Sequence, residues 1–115
     1  MMNKIANSAI LVVVSTVLAG VWMFMPATQL RASSQSTYDA KCAMCHGKDG
    51  TGNTPMGKNM KVPDLTSKAV QSKSDAELAD VIAKGKGVMP AYGSQMSKTE
   101  IKQMVTYVRH LAKKK

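Results

Sequence analysis

At 115 residues the chain has room for one domain, and beyond an apolar N-terminal stretch only about 80 residues remain, near the lower limit for a self-sufficient core. Two cysteines exclude a disulfide framework, and with Trp22 and Phe24 in the apolar stretch only Tyr38, Tyr92 and Tyr107 remain as interior aromatics, so a large prosthetic group is expected to complete the core. The formal net charge is +9, but the lysines are scattered without interleaved aromatic platforms, which argues against nucleic acid and suits an acidic protein partner or an anionic membrane.

No charge occurs between Lys4 and Arg31, and the strongly apolar part runs from Ala9 to Met25. Its 17 residues exceed a typical signal-peptide core and just reach the lower bound for a spanning helix. An uncleaved anchor is therefore favoured over a cleaved signal, and residues 1–32 are read as signal or anchor with a short tether, residues 33–115 as the folded domain. Pro26 ends the apolar helix, and Gln29 to Gln35 reads as the tether. Ser36 with Asp39 three residues on predicts the cap of a helix leading through Tyr38 to the cysteines.

Gly47, Gly50 and Gly52 then predict a loop. The stretch from Met56 to Asp64 shows neither helical nor strand periodicity, and Leu65 to Gln71 suits a short helix from Thr66. Two capping boxes follow. Ser74 with Glu77 opens a helix through Leu78, Val81 and Ile82 that Gly85 stops, and Ser97 with Glu100 opens the last helix, whose apolar stripe is Ile101, Met104, Val105, Val108 and Leu111. No strand pattern or internal repeat is visible.

The decisive run is Cys42-Ala43-Met44-Cys45-His46. Cysteines at i and i+3 share one helical face and can add to the two vinyl groups of one haem, while the next residue offers a neutral imidazole to its iron. A thioredoxin-like dithiol would follow a buried strand, and no βαβ pattern precedes Cys42. A zinc site needs a fourth good ligand, for which only distant His110 or a carboxylate is available.

The sixth iron ligand is sought among Met56, Met60, Met89, Met96 and Met104, with His110 as the imidazole option. Met89 is favoured: its loop, Gly85-Lys86-Gly87-Val88-Met89-Pro90-Ala91-Tyr92-Gly93, has glycines that let backbone approach a haem face and a proline that stiffens the ligand's neighbour. Met104 belongs to the apolar stripe. Met56, Met60 and Met96 read as partly buried packing, and His110 as a partly exposed helix residue.

From Thr37 to Lys113 the chain resembles the small, mostly bacterial class I cytochromes c. The matching residues are Tyr38, Cys42-Ala43-Met44-Cys45-His46-Gly47, Asp49-Gly50-Thr51-Gly52, Val62-Pro63-Asp64-Leu65, Met89-Pro90-Ala91-Tyr92-Gly93 and Tyr107. The resemblance implies an all-α fold of about four helices around one covalent haem c, with iron held by His46 and Met89. It further implies that the Pro63 carbonyl accepts a hydrogen bond from His46 Nδ1 and that Tyr38 and Tyr107 mark the contact of the first and last helices. The gap from His46 to Pro63 is 17 residues, a spacing that varies in the family.

The implied function is one-electron transfer between redox proteins on the extracytoplasmic or periplasmic side, by a monomeric carrier with no catalytic residues of its own, tethered to the membrane where the N-terminal segment is uncleaved. The rival readings are a haem c subunit or electron-input domain of a larger oxidoreductase complex, and a gas-binding sensor with an open sixth site. Residues 33–115 carry 14 Lys and Arg against 7 Asp and Glu, and this surplus is expected to steer an acidic redox partner, with Lys48, Lys84 and Lys86 nearest the haem loops.

Overall fold

The computed structural model describes residues 27–114, so the apolar stretch and the anchor-or-signal question lie outside the described residues. Helix α1 is Ala27–Lys41, α2 Ala43–His46, α3 Pro55–Met60, α4 Lys68–Gln71, α5 Asp75–Lys84 and α6 Lys98–Lys113. Among the described residues there is no strand beyond an isolated bridge between Lys86 and Met89, and no helix is long and apolar enough to cross a membrane.

Helix α1 corrects the expected tether and cap. It runs straight through Gln29 to Gln35, and Ser36 sits inside it, donating to the Ser33 carbonyl at 2.9 Å. Serine and threonine usually compete with helical hydrogen bonding, but here Ser33 and Ser34 bond back to the Leu30 carbonyl and Thr37 to that of Ser33. Ser34 and Tyr38, one turn apart, are buried, so tertiary packing selects the helix where composition suggests a linker.

The last two helices form as their sequence predicts. Both capping boxes are made: Ser74 and Ser97 accept from the backbone N–H of Glu77 and Glu100, whose carboxylates accept from the capping N–H groups at 2.7 Å. The apolar stripe of α6 is buried against α1 and α5, joined by Tyr38, Leu78, Ile82 and Met96. Tyr38 and Tyr107 stack at 5.1 Å between ring centroids in a tilted pair that locks α1 to α6. Arg109, on α6, pins the α4–α5 junction by donating to the carbonyls of Gln71 and Lys73 at 2.8 and 2.6 Å and to Asp75 at 2.8 Å.

Two short elements differ from expectation. Residues 55–60 form a helical turn and a half although they lack periodicity, because Thr54 caps it and Pro55 occupies its first turn. The helix expected from Thr66 starts at Lys68, since Asp64 binds the N–H and hydroxyl of Thr66 in a turn and Ser67 supplies the cap.

Candidate haem-binding site

The Cys-x-x-Cys-His run lies at the junction of α1 and α2. The Cys42 N–H donates to the Tyr38 carbonyl and the His46 N–H to the Cys42 carbonyl, at 2.8 and 2.9 Å, so helical spacing carries through the run. Both thiols are free and half-buried and line one cleft with His46, Met60, Val62, Val88, Met89 and Tyr92. Burial is the main reason the Cys42 thiol is pushed up to about 11, with the Lys41 charge opposing it.

His46 is 8% exposed, and its Nδ1 is buried without a hydrogen-bond partner. Burial lowers its pKa, favouring the neutral imidazole that an iron ligand must be. The Pro63 carbonyl is close enough to oppose that shift but falls short of good hydrogen-bond geometry, and Pro63 itself is exposed and outside the cleft lining.

The loop after His46 wraps back onto it. Gly52, at φ +74°, donates its N–H to the His46 carbonyl at 2.7 Å, and a Cβ there would press on Val62. Thr54 is a residue that sequence reasoning missed. Its hydroxyl accepts from the Gly57 N–H at 2.8 Å and lies 2.9 and 3.0 Å from the carbonyl oxygens of Met44 and Cys45, tying α3 to the attachment helix. The Thr-Pro pair was the signal for it, as a cap followed by a first-turn proline.

The Met89 loop is held from both sides. Gly85, at φ +75°, ends α5 and lets the Met89 carbonyl pass where a Cβ would stand at 2.6 Å. Tyr92 donates its hydroxyl to the Lys41 carbonyl and its N–H to the Ile82 carbonyl, both at 3.0 Å, which docks the loop between α1 and α5.

Of the other ligand candidates, only Met60 joins Met89 in the cleft, and it is 40% exposed where packing was expected to bury it partly. Met96 and Met104 are buried in the core, Met56 lies outside the lining, and His110, its ring 6.3 Å from that of Tyr107, lies outside it too. Around the cleft the lysines also sort differently from expectation. Lys41 lines it and Lys86 is exposed in the Met89 loop, whereas Lys84 is paired with Asp80 at 2.7 Å and Lys48 borders a separate hollow with Asp49.

These groups fit haem c. Two thiols, a buried imidazole with a spare Nδ1 and two thioethers face one cleft, with Val88, 62% exposed, as an apolar wall awaiting cover. A larger hollow of about 370 Å³ between α1 and α6 contains neither thiol nor thioether, so the chemistry sits in the smaller one.

Residues 29–108 match the model of the family described as cytochrome c oxidase, cbb3-type, subunit III. The chain belongs to that family. A cbb3-type cytochrome c oxidase subunit FixP from Bradyrhizobium diazoefficiens is 35% identical over 82 residues, covering 70% of this chain and 27% of that protein. The FixP subunit from Azorhizobium caulinodans is 38% identical over 75 residues, 64% of this chain and 25% of its own length. This member of the cbb3-type subunit III family thus spans about a quarter of the length of those curated relatives. Among solved structures, the c-type cytochrome KustC0563 superposes with a TM-score of 0.63 at 25% identity over 68% of this chain and 95% of that one. The c-type cytochrome XoxG of Methylobacterium extorquens gives 0.57 at 29% identity over 72% and 50%. The chain is a class I c-type cytochrome, and its cofactor is covalently bound haem c with iron.

Proposed function

We propose that this chain is the electron-transfer domain of a larger membrane oxidase of the cbb3 type, passing single electrons through haem c held at Cys42, Cys45 and His46, with Met89 as the sixth ligand. The observation that carries it is the single cleft where both thiols, the buried imidazole and the Met89 thioether meet. The relatives named as oxidase subunits favour a place in a complex over a freely diffusing carrier.

When bound, the haem iron would supply a one-electron couple, with a thioether ligand favouring its reduced state. The chain's residues hold that couple in place. Cys42 and Cys45 would anchor it by thioether bonds, and His46 would bind through Nε2 while Nδ1 donates to the Pro63 carbonyl, fixing ring orientation and basicity. The loop pinned by Gly85 and Tyr92 would present Met89 with little freedom to move between oxidation states. Val88, Met60 and Val62 would exclude water from the face.

An extracytoplasmic location is supported by the uncharged stretch before Arg31, and an acidic docking partner by Lys41 in the cleft lining and by Lys86, exposed in the Met89 loop. The test is to export the chain with the haem-attachment machinery and measure intact mass and optical spectra. Mass should include one haem that survives acid-acetone extraction, and the oxidised protein should show the weak long-wavelength thioether-to-iron band. Met89→Ala should abolish that band and let the reduced protein bind carbon monoxide at neutral pH. Loss of the band in Met60→Ala but not in Met89→Ala would reassign the ligand, and a haem-free mass would overturn the reading.

A further inference from the structure

At the end of α1 remote from the cleft lies a basic surface that the electron-transfer reading does not use. α1 packs on α6 through Tyr38 against Tyr107, and the earlier residues of α1 share one hollow with the last turns of α6. Leu30, Arg31, His110 and Lys113 thereby border the hollow of about 370 Å³. Arg31 and Lys113 make no ion pair among the described residues, Arg109 on the same rim is matched by Asp75, and Lys114 lies next along the chain, bordering the neighbouring hollow that Asp49 also lines. The charges crowd closely enough that Arg31, Lys113 and Lys114, after burial, hold His110 below its ordinary pKa. Leu30, beside them, is 52% exposed.

The position of this cluster in the chain gives it a partner. Residues 5–30 carry no charge, their strongly apolar part ends at Met25, and α1 begins at Ala27. The basic hollow is therefore the part of the described domain nearest in sequence to a segment of membrane-spanning length. We propose that this surface docks on the acidic headgroups of a lipid membrane, with Arg31, Lys113 and Lys114 taking the phosphates and Leu30 entering the interface. A surplus of like charges, with Asp75 already taken by Arg109, is relieved by an anionic surface, and an exposed leucine among basic residues is the pattern of an interfacial contact. An acidic protein would satisfy the charges and could cover Leu30, but only a membrane also accounts for the adjoining apolar segment.

Function gains from the placement. From Leu30 to Lys41 the helix rises about 16 Å, so a domain resting on this end would keep the cleft off the membrane and open to a redox partner. The inference is independent of how the cleft holds haem, whose absorbance is read separately in the same samples.

The experiment uses the mature, haem-loaded chain, mixed with or reconstituted into phosphatidylcholine vesicles with and without phosphatidylglycerol as about a third of the lipid. Lysine acylation is followed residue by residue by mass spectrometry. In acidic vesicles Lys113 and Lys114 should react at least about threefold more slowly than in neutral ones, recover near 1 M salt as screening shortens to about 3 Å, and lose protection in Arg31→Gln. Lys58, Lys61 and Lys86 should react alike in both. Equal reactivity of Lys113 and Lys114 in the two vesicles, or protection of Lys58, Lys61 and Lys86 instead, would overturn the proposal. So would slow labelling already present in neutral vesicles, which would indicate cover by the chain's own segment or a second copy. Protection reproduced in neutral vesicles by inorganic phosphate would indicate a free-anion site, and protection by polyglutamate as strong as that by acidic vesicles would indicate a protein partner; either result overturns the membrane assignment.

Discussion

Tyr38 is the most buried large side chain described, with 0% exposure, and it does two separable things. Its ring packs against Tyr107, and its hydroxyl donates to the Gly47 carbonyl at 2.8 Å, joining α1 to the residue just after His46. Burial holds the phenol well above its ordinary pKa, so it stays a neutral donor through the physiological range. Tyr38→Phe removes only the hydrogen bond. Because the Gly47 carbonyl also accepts from the Gly50 N–H at 3.1 Å, it is not left bare, and the cost should be about 1 kcal/mol, at the mild end for a buried bond. Tyr38→Ala also empties the ring's volume and breaks the aromatic pair, for about 3–5 kcal/mol. For a domain of this size the first change should lower the midpoint of thermal unfolding by about 4–8 °C. Guanidinium unfolding of the haem-loaded protein, followed by far-ultraviolet circular dichroism, measures both variants. If Tyr38→Phe proved as damaging as Tyr38→Ala, or cost nothing, the division of labour argued here would be wrong. A haem spectrum altered by Tyr38→Phe would show that the hydroxyl also positions His46.

Two further outcomes are expected. Arg109, whose side chain is 25% exposed, serves two backbone carbonyls and Asp75, so Arg109→Met should cost about 2–4 kcal/mol in denaturant unfolding. Arg109→Lys should recover little, because an ammonium cannot span the fork, while Asp75→Asn at a 78% exposed carboxylate should cost less than about 1 kcal/mol. Steering by Lys41 at the cleft and Lys86 in the Met89 loop predicts a stopped-flow second-order rate with an acidic redox partner that falls with ionic strength, as the Debye length shrinks from about 10 Å at 0.1 M, and falls less steeply in Lys41→Gln with Lys86→Gln. A rate indifferent to salt would refute steering, and an undiminished slope in the double variant would place the contact elsewhere.

Much of the site was legible because its determinants are local. The Cys42, Cys45 and His46 spacing matches one helical turn, and the boxes at Ser74 and Ser97 satisfy helix-end donors from within four residues, so these features need no distant partner. The same locality made the stripe on α6 readable, since a 3.6-residue period is a property of the segment alone. By contrast, the seven polar residues from Gln29 to Gln35 look like a linker in isolation. Only burial of Ser34 and Tyr38 against α6 makes them helix.

The tertiary structure likewise decided which methionines meet the haem cleft. The sequence favoured Met89 and read Met56, Met60, Met96 and Met104 as packing, and chain reversals at Gly52 and Gly85 bring Met60 as well as Met89 to Cys42 and Cys45 while leaving the others in the core or outside. Charge sorting has the same cause in part. Lys84 pairs with Asp80 one helical turn away, a local match, whereas Arg31 joins Lys113 and His110 only because α1 packs on α6. Spacing along a helix is written in the sequence, whereas proximity between residues tens of positions apart depends on packing energies summed over the whole chain, which no local pattern encodes.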